Sequence, residues 1–204
     1  MEKKDFKPGT LIYPLPAVMV SCGKIHTDHN IITIAWTGTV NSNPPRCYIS
    51  IQPIRHSHGL VKEYGDFVIN LTTEPLAKAT DWCGVRSGRD HDKFNEMGLT
   101  PVEAKEVNAP LIAESPMNIE CKVFDIVRLG SHDMFLADVV AVHADNRFYD
   151  EKSGRFDLAG SNPISFIHGR YFETGQRIGK LGFSVERKSN MGRKRKKGND
   201  NSAT

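Results

Sequence analysis

The chain has 204 residues, of which 39% are hydrophobic and 25% charged, as expected for a globular domain with a real core. No apolar run approaches the roughly 20 residues of a membrane helix, and no apolar signal core follows the first residues, so we expect neither a membrane span nor export. The formal net charge of +3 divides unevenly, because residues 187–204 carry seven basic residues and one acid, whereas residues 1–186 carry 20 basic and 23 acidic residues.

This charge distribution predicts one mildly acidic domain over residues 1–186 and a basic tail over residues 187–204. The tail is polar and has no hydrophobic period, which is typical of a disordered segment. It could contact RNA or acidic lipid, but such tails are more often solvated, dispensable ends. The acidic body does not resemble a nucleic-acid-binding surface, so we expect no nucleic-acid partner and no membrane partner.

Six segments have the apolar, β-branched composition of strands: residues 17–22, 30–40, 47–51, 66–71, 119–123 and 134–142. Turn residues such as Gly23, the Pro44-Pro45 pair and Gly130 separate them. The clearest half-buried strand alternates apolar and polar residues over 119–123.

Helices are fewer and shorter, with predicted spans at residues 57–64, 73–83, 90–97 and 163–168. Thr73 and Pro75 form a typical helix start, after which Leu76, Thr80 and Cys83 would share one face. Many strands with few helices predict a mainly β fold, an antiparallel barrel. The chain has neither the Gly-x-Gly-x-x-Gly dinucleotide motif after a strand nor a phosphate-binding P-loop motif.

Cysteines and histidines give no metal motif. The four cysteines contain no Cys-x-x-Cys pair, and three of them (Cys22, Cys47 and Cys121) lie in strand-like segments, which predicts buried free thiols and a reducing cytoplasm. The pairs His26/His29 and His56/His58 invite a metal interpretation, but no acid completes a recognisable triad, so we expect no metal site.

Residues 30–38 combine a strand with features that suit a ligand. Trp36, two threonines and Gly38 follow the apolar start of the segment, and an aromatic ring, hydroxyls and an open backbone suit a flat, polar-edged ring such as a flavin. The alternative is a barrel strand whose Trp36 fills the core. Both interpretations remain open from this segment alone.

Three further segments could bind an anion or the edge of a ring. Arg55 and Ser57 open a predicted helix, where a guanidinium, a hydroxyl and free N–H groups suit a phosphate; a helix cap at Ser57 with an exposed Arg55 is the alternative. The polar stretch 87–94 and His132 in a turn could add donors, or could be ordinary solvated loops.

The chain resembles the flavin reductase-like, FMN-binding split-barrel family, in particular its flavoredoxin branch. The resemblance covers about residues 8–185, and the stretch Cys-Gly-Val-x-Ser-Gly-Arg-Asp-x-Asp-Lys-Phe at 83–94 is its most distinctive motif. The other motifs are Asn-Ile-Ile-Thr-Ile-Ala-Trp-Thr-Gly at 30–38, Ser-Asn-Pro-Pro at 42–45, Arg-x-Ser at 55–57, Asp-Phe-Val-Ile-Asn-Leu at 66–71, and Leu-Gly-Ser-His-Asp-Met-Phe at 129–135.

The resemblance implies a six-stranded antiparallel Greek-key split barrel, a homodimer, and one non-covalent FMN per subunit, on which the chemistry takes place. It implies that Asn30, Thr33, Trp36 and Thr37 line the ring and ribityl chain. Arg55 and Ser57 would bind the phosphate. The remaining implied cofactor-binding residues are Ser87, Arg89, Asp90, Lys93, His132 and Phe166. Lys93, and next Arg89, would stabilise the reduced ring by their positive charge.

Three functions remain open at this point. The first is an oxidoreductase that passes electrons from NAD(P)H through FMN to a flavin or another acceptor. The second is a flavoredoxin-type electron carrier with a protein donor such as ferredoxin. The third is a flavin-binding protein without redox activity.

Overall fold

The chain is mainly β with few short helices in its computed structural model, which describes residues 1–185. Contacts divide the chain into a unit Met1–Thr174 and a unit Gly175–Thr204. In its described part the second unit contains one 3-10 helix, Phe183–Val185. The predicted basic tail, residues 187–204, lies outside the described residues, and its predicted disorder stays a prediction.

Fourteen strands and three α-helices occur in the described residues. The strands are β1 (Leu15–Pro16), β2 (Val18–Cys22), β3 (Asn30–Ile34), β4 (Thr37–Ser42), β5 (Pro45–Ile51), β6 (Asp66–Asn70), β7 (Pro101–Val102), β8 (Leu111–Ile112), β9 (Met117–Arg128), β10 (Asp133–Ala144), β11 (Tyr149–Asp150), β12 (Arg155–Phe156), β13 (Ile164–Ile167) and β14 (Arg170–Glu173). The helices are α1 (His56–Tyr64), α2 (Ala77–Val85) and α3 (Lys93–Met97), with 3-10 helices at Glu74–Leu76, Asn146–Phe148 and Leu158–Ser161.

The principal sheet has seven strands, in the order β3-β2-β6-β9-β10-β5-β4, and all of its pairs are antiparallel. The implied number of six strands is therefore not confirmed. The predicted strand 30–40 divides at a bend over residues 35–36 into β3 and β4, which form the two opposite edges of the sheet. Because two residues connect these edges, the sheet must curl back on itself at that point.

The curled sheet does not form a closed barrel. At the bend, the Ser50 N–H donates to the Trp36 carbonyl at 3.0 Å, which ties the corner to β5. Within residues 1–185, no ladder pairs β3 with β4, so the two edges stay open along the rest of their length. The bend at Trp36 therefore lies at an open edge of the sheet and is exposed to solvent.

The core has two layers because β2 is buried on both faces. Val18, Val20 and Cys22 point to the inside of the curl and pack with residues of β5, β6, β9, β10 and α1. Met19 points to the other face, where it packs with Ile31 and the apolar sides of α2 and α3. The helices thus cover the outer face of β2 and β3, and they bring the chain after α2 next to the start of β3.

Most of the predicted elements are confirmed, with two corrections among the helices. Residues 163–168 form strand β13 instead of a helix, because they pair with both β1 and β14. The helix predicted over 90–97 begins only at Lys93, where the Asp92 side chain accepts a hydrogen bond from the Asn95 N–H. The predicted apolar face of the second helix is confirmed, since Leu76, Thr80 and Cys83 are all buried.

All four cysteines are buried and free, which confirms the prediction of buried thiols. Among the helices of the described chain, none has both the length and the apolar content to cross a membrane.

Candidate functional site

A cleft of about 240 Å³ lies where the end of β5, the start of α1 and the loop after α2 meet the first residue of β3. Its walls come from segments far apart in the chain, and the antiparallel sheet brings them together. The lining residues are Asn30, Ile32, Gln52, Ile54, Arg55, His56, Ser57, Cys83, Gly84, Arg86, Ser87, Gly88, Arg89 and Lys93.

The cleft is strongly cationic. It is lined by three arginines and a lysine, and of the described residues that line it none is Asp or Glu. Among the described ion pairs, none includes Arg55 or Arg86. Arg89 directs its guanidinium to the Ile54 carbonyl, with both Nη atoms at 3.2 Å, which fixes it at the rim. Uncompensated positive charge of this density favours a polyanionic ligand.

The N-terminus of α1 opens into the same cleft. Arg55 is the N-cap residue and has extended backbone, and no side chain caps the first turn. The first backbone N–H groups of a helix have no acceptor within the helix and attract anions. The interpretation of Ser57 as the helix cap is therefore wrong, because Ser57 lies within the helix and is buried.

Asn30, Ser57 and Gly88 pack closely at the floor of the cleft. The Asn30 amide donates to the Ser57 hydroxyl at 2.8 Å. A Cβ at Gly88 would lie 2.2 Å from the Asn30 Oδ1, so only glycine lets the loop after α2 approach β3 this closely. Burial raises the pKa of the nearby Cys22 thiol to about 12, although Ser57 acts in the opposite direction. The side chain of Ser57 is thus buried against Asn30.

Lys93 is a buried cation in the cleft wall, with only 4% of its surface exposed. Its ammonium donates to the carbonyls of Ile31 and Cys83, each at 2.7 Å. Burial lowers the pKa of Lys93, whereas the nearby thiols of Cys83 and Cys22 act in the opposite direction. Two of its three N–H groups hold the protein together, and its charge contributes to the positive field of the cleft.

Arg86 and Gln52 are lining residues that the sequence did not single out, and His56 was considered only as a metal ligand. Burial and the positive charges of Arg89 and Lys93 lower the pKa of His56, so the imidazole is neutral near pH 7. Two of these lining residues could have been identified from their position next to predicted site residues. His56 lies between Arg55 and Ser57, and Arg86 directly precedes Ser87.

An aromatic groove continues from the cleft along β3. It has a volume of about 170 Å³ and shares Ile32, Gln52 and Arg55 with the cleft. Trp36 and His132 form its far wall, with ring centroids 4.6 Å apart and planes inclined at 42°. Trp36 is 37% exposed, so it does not fill the core, and that alternative is wrong. The arrangement gives a flat apolar surface beside a cationic one.

Two of the threonines use their hydroxyls inside the protein. The Thr33 hydroxyl donates to the Thr80 carbonyl, which joins β3 to α2, although Thr33 also lines the aromatic groove. The Thr37 hydroxyl donates to the Tyr48 carbonyl at 2.6 Å and joins β4 to β5. In this structure both hydroxyls therefore bind backbone carbonyls of the protein and hold the walls of the site together.

Two of the predicted residues, Asp90 and Phe166, are not among those that line the cleft or the aromatic groove. Asp90 is exposed, and its N–H closes the 87–90 turn on the Ser87 carbonyl. Phe166 is in β13, where it pairs with Leu15 and contacts the ring of Tyr171 at 5.3 Å between centroids. Ser87, Arg89, Lys93 and His132 all line the predicted site.

The histidine pairs do not form a metal centre in residues 1–185, where no three metal-binding side chains cluster. His26 and His29 have ring centroids 6.3 Å apart, and His29 stacks near Phe94. His56 lines the cleft, whereas His58 is turned away from it and its Nε2 lies 2.9 Å from an Asp133 carboxylate oxygen.

The donor set suits a ligand that has an anionic end and a flat ring. An FMN molecule has both, a phosphate dianion and a tricyclic ring. The cleft could hold the phosphate with Arg55, Arg86, Arg89 and the N–H groups of α1, and the close approach at Gly88 leaves backbone rather than side chain against the ligand. The groove could hold the ring against Trp36 and His132.

Comparisons with known proteins identify the family of the chain. An uncharacterized protein of Archaeoglobus fulgidus is 32% identical over 141 residues, which are 69% of this chain and 78% of that protein. The solved flavoredoxin of Desulfovibrio vulgaris (Miyazaki F) is 28% identical, with a TM-score of 0.83 over 91% of this chain and 100% of that one.

Two further solved structures share the fold. The flavoredoxin of Methanosarcina acetivorans has a TM-score of 0.82 at 24% identity and covers 91% of this chain and 100% of its own. An FMN-binding protein of Thermus thermophilus has a TM-score of 0.72 at 23% identity, over 88% of this chain and 98% of that one. Residues 10–175 match the family described as the flavin reductase like domain. The chain therefore belongs to the flavin reductase-like family.

Proposed function

We propose that this protein is a flavin-dependent oxidoreductase that binds FMN non-covalently and passes electrons from NAD(P)H to a flavin or another acceptor. The observation that carries the proposal is the cleft with three arginines and a lysine and no acid among its described lining residues, continuous with an aromatic groove. Membership of the flavin reductase-like family supports it. When bound, FMN would supply the hydride and one-electron chemistry.

The protein's own residues bind and orient the cofactor in this proposal. Arg55 and Arg86 pair with the phosphate, while Arg89, fixed on the Ile54 carbonyl, closes the rim. Lys93 holds a positive charge in the cleft wall without reorganising, because two backbone carbonyls fix its ammonium. That charge favours an anionic form of the ligand over a neutral one.

Trp36 and His132 position the ring. Their rings, inclined at 42° to each other, form one wall of the groove, and the Ser50 N–H holds the Trp36 backbone in place. His132 is kept at the rim by a contact of 3.0 Å between its Nδ1 and the Ser131 hydroxyl. An imidazole there can donate to a carbonyl or a ring nitrogen of the flavin.

A second candidate function is an electron carrier of the flavoredoxin type, with a protein donor such as ferredoxin. It is favoured by the likeness to the Desulfovibrio flavoredoxin, which covers 91% of this chain. A flavin-binding protein without redox activity is the third candidate, and the fold alone does not argue against it.

One anaerobic titration separates these functions. The purified protein is loaded with FMN, its visible absorption is recorded, and NADH or NADPH is then added. Rapid loss of the flavin band is expected for the reductase, whereas loss only with reduced ferredoxin would assign the carrier. A protein that does not bind FMN at all would contradict both.

We also propose that the protein is a cytoplasmic homodimer. Four buried free cysteines are consistent with a reducing compartment. The long strands β9 and β10 carry exposed apolar residues, among them Phe124, Val140 and Val142, which a second subunit could cover. Sedimentation velocity of the FMN-loaded protein is expected to give a dimer, and a monomer at tens of micromolar would contradict this.

A further inference from the structure

A third cavity adjoins the proposed flavin site at Trp36. Its volume is about 420 Å³, and it lies between the N-terminal segment, residues 9–12 with Leu15, and the residues Trp36, Tyr48 and Ser50. Two of these, Trp36 and Ser50, also line the aromatic groove. A molecule in this cavity would therefore lie beside a ring held in the groove.

The chemistry of this cavity is opposite to that of the cationic cleft. None of its described lining residues is charged, and its walls are the side chains of Leu11, Ile12 and Leu15 with the rings of Trp36 and Tyr48. The polar side-chain groups of its described lining residues are the hydroxyls of Thr10, Tyr48 and Ser50 and the indole N–H of Trp36. An ionised ligand would lose its hydration without gaining a partner, whereas an apolar ring would gain by burial.

The wall formed by β4 and β5 is held in position by contacts behind it. The Ser50 N–H donates to the Trp36 carbonyl, and the Thr37 hydroxyl donates to the Tyr48 carbonyl. A Cβ at Gly38 would lie 3.3 Å from the Tyr48 ring, so a glycine leaves room for that ring. The aromatic surfaces are thus preorganised for a ligand.

We propose that this cavity is a subsite for a small, uncharged aromatic compound with one hydrogen-bonding oxygen, placed next to the flavin. The subsite rests on the proposed function, because only a flavin in the groove makes the neighbouring ligand a redox partner. The hydroxyls of Thr10, Tyr48 and Ser50 would bind the oxygen, and the apolar walls would bind the ring. The flavin site and the subsite would therefore select different ligands, because the first has a cationic lining and the second an uncharged one.

The test uses two naphthalenes of similar size, 2-naphthol and naphthalene-2-sulfonate, titrated calorimetrically into the FMN-loaded protein. We expect 2-naphthol to bind at least tenfold more tightly than the sulfonate. Because protein residues alone form the cavity, 2-naphthol is also expected to bind in the absence of FMN and to leave the affinity for FMN unchanged. Equal binding of the two probes, no binding of 2-naphthol, or displacement of 2-naphthol by FMN would overturn the subsite.

A matched pair of variants locates the binding. Leu11 lines the cavity and is 57% exposed, so Leu11→Asp places a charge in its wall without disturbing the core. Leu129, which is 58% exposed and lines none of the three cavities, provides Leu129→Asp as the control. Leu11→Asp is expected to weaken 2-naphthol at least tenfold while FMN binding stays the same. Equal affinity for 2-naphthol in the two variants would overturn the assignment.

A failure of the subsite can be distinguished from a failure of the proposed function. If FMN does not bind but 2-naphthol binds and Leu11→Asp weakens it, the cavity is a ligand site and the flavin assignment is wrong. If FMN binds and 2-naphthol does not, the subsite is wrong and the flavin assignment stands.

Discussion

The cationic cleft and the loop of residues 103–110 hold their charges in different ways, because the carboxylates that hold the loop are buried and paired, whereas the arginines of the cleft are exposed. Glu120, fully buried in β9, accepts hydrogen bonds from the N–H groups of Lys105 and Glu106 at 2.9 and 2.6 Å, and His143 contacts it as well. Asp66 holds the same loop through the backbone and side chain of Asn108. In the cleft, by contrast, Arg55 and Arg86 have no described ion-pair partner.

The contrast shows how charged residues that stabilise the fold differ from charged residues that bind a ligand. A buried charge that is satisfied within the protein fixes a loop, whereas several exposed like charges that meet without a counter-charge create a field that attracts a ligand of opposite charge. Substitutions on the two sides should therefore change different quantities. We expect the loop side to change unfolding and the cleft side to change ligand affinity.

The largest expected effect is on the loop side. Glu120→Gln removes the charge that three donors share, and we expect the free energy of unfolding to fall by about 3 kcal/mol. Urea denaturation measures this, and the affinity for FMN is expected to stay the same. Glu106→Gln is the matched control, because the side chain of Glu106 makes only a 4.0 Å contact with Lys105. Equal stability of the two variants would contradict the structural role of Glu120.

The same carboxylate gives a pH dependence of known sign. Burial opposes ionisation of Glu120, but the hydrogen bonds from Lys105, His143 and Glu106 outweigh it and lower its pKa below the ordinary value of 4.5. A lowered carboxyl pKa stabilises the fold at pH values above the ordinary value, and this contribution is lost as pH falls through the lowered pKa. Wild type should therefore lose more stability than Glu120→Gln between pH 6 and pH 3. Parallel stability curves would count against this.

On the cleft side, Arg55→Ala should weaken FMN by about 10- to 100-fold, since a charge-assisted contact contributes about 1.5–3 kcal/mol. Riboflavin, which lacks the phosphate, should bind both proteins equally. Fluorescence titration measures both affinities. Arg147→Ala is the control, because Arg147 is exposed and paired with Asp145. Equal weakening of FMN and riboflavin would place Arg55 away from the phosphate.

A smaller effect is expected at the floor of the cleft. Gly88→Ala forces the loop after α2 away from the Asn30 amide, and overpacking of this kind costs about 1–2 kcal/mol. We expect about tenfold weaker FMN binding by the same titration. Gly59→Ala, where an added Cβ meets no atom within 4 Å, should leave the affinity unchanged. If Gly88→Ala bound FMN as wild type does, the tight packing at this point would have no role in the site.

The smallest expected effect is at Thr37, whose hydroxyl holds the wall of the site and is expected not to contact the ligand. Thr37→Val removes the hydrogen bond to the Tyr48 carbonyl and should reduce stability by about 1 kcal/mol. FMN affinity is expected to change less than twofold. A large loss of affinity with normal stability would mean that the Thr37 hydroxyl binds the ligand directly.

Much of the fold could be predicted from the sequence, because alternating strands and capped helices are local signals. Residues 163–168 show the limit: the three apolar residues of β13 fit a helix or a strand equally, and only pairing with β1 and β14 decides between them. The division of residues 30–40 at Trp36 also depends on the curl of the sheet, which no local pattern encodes.

The candidate site was predicted in part, through motifs rather than through physical signals. Lys93, Arg55 and His132 line the cleft or the groove as the resemblance implied. Arg86 and Gln52 were missed, because a lining role depends on which distant segments meet. The inward direction of the Thr33 and Thr37 hydroxyls likewise depends on acceptors that are far away in the chain, the carbonyls of Thr80 and Tyr48.

The central claim is that the uncompensated arginines bind the phosphate of a flavin, and a crystal structure of the protein with FMN tests it most directly. We expect the phosphate to lie among Arg55, Arg86 and Arg89 at the start of α1, with the ring against Trp36. A phosphate bound elsewhere, or a cleft filled by side chains in crystals grown with saturating FMN, would contradict the claim.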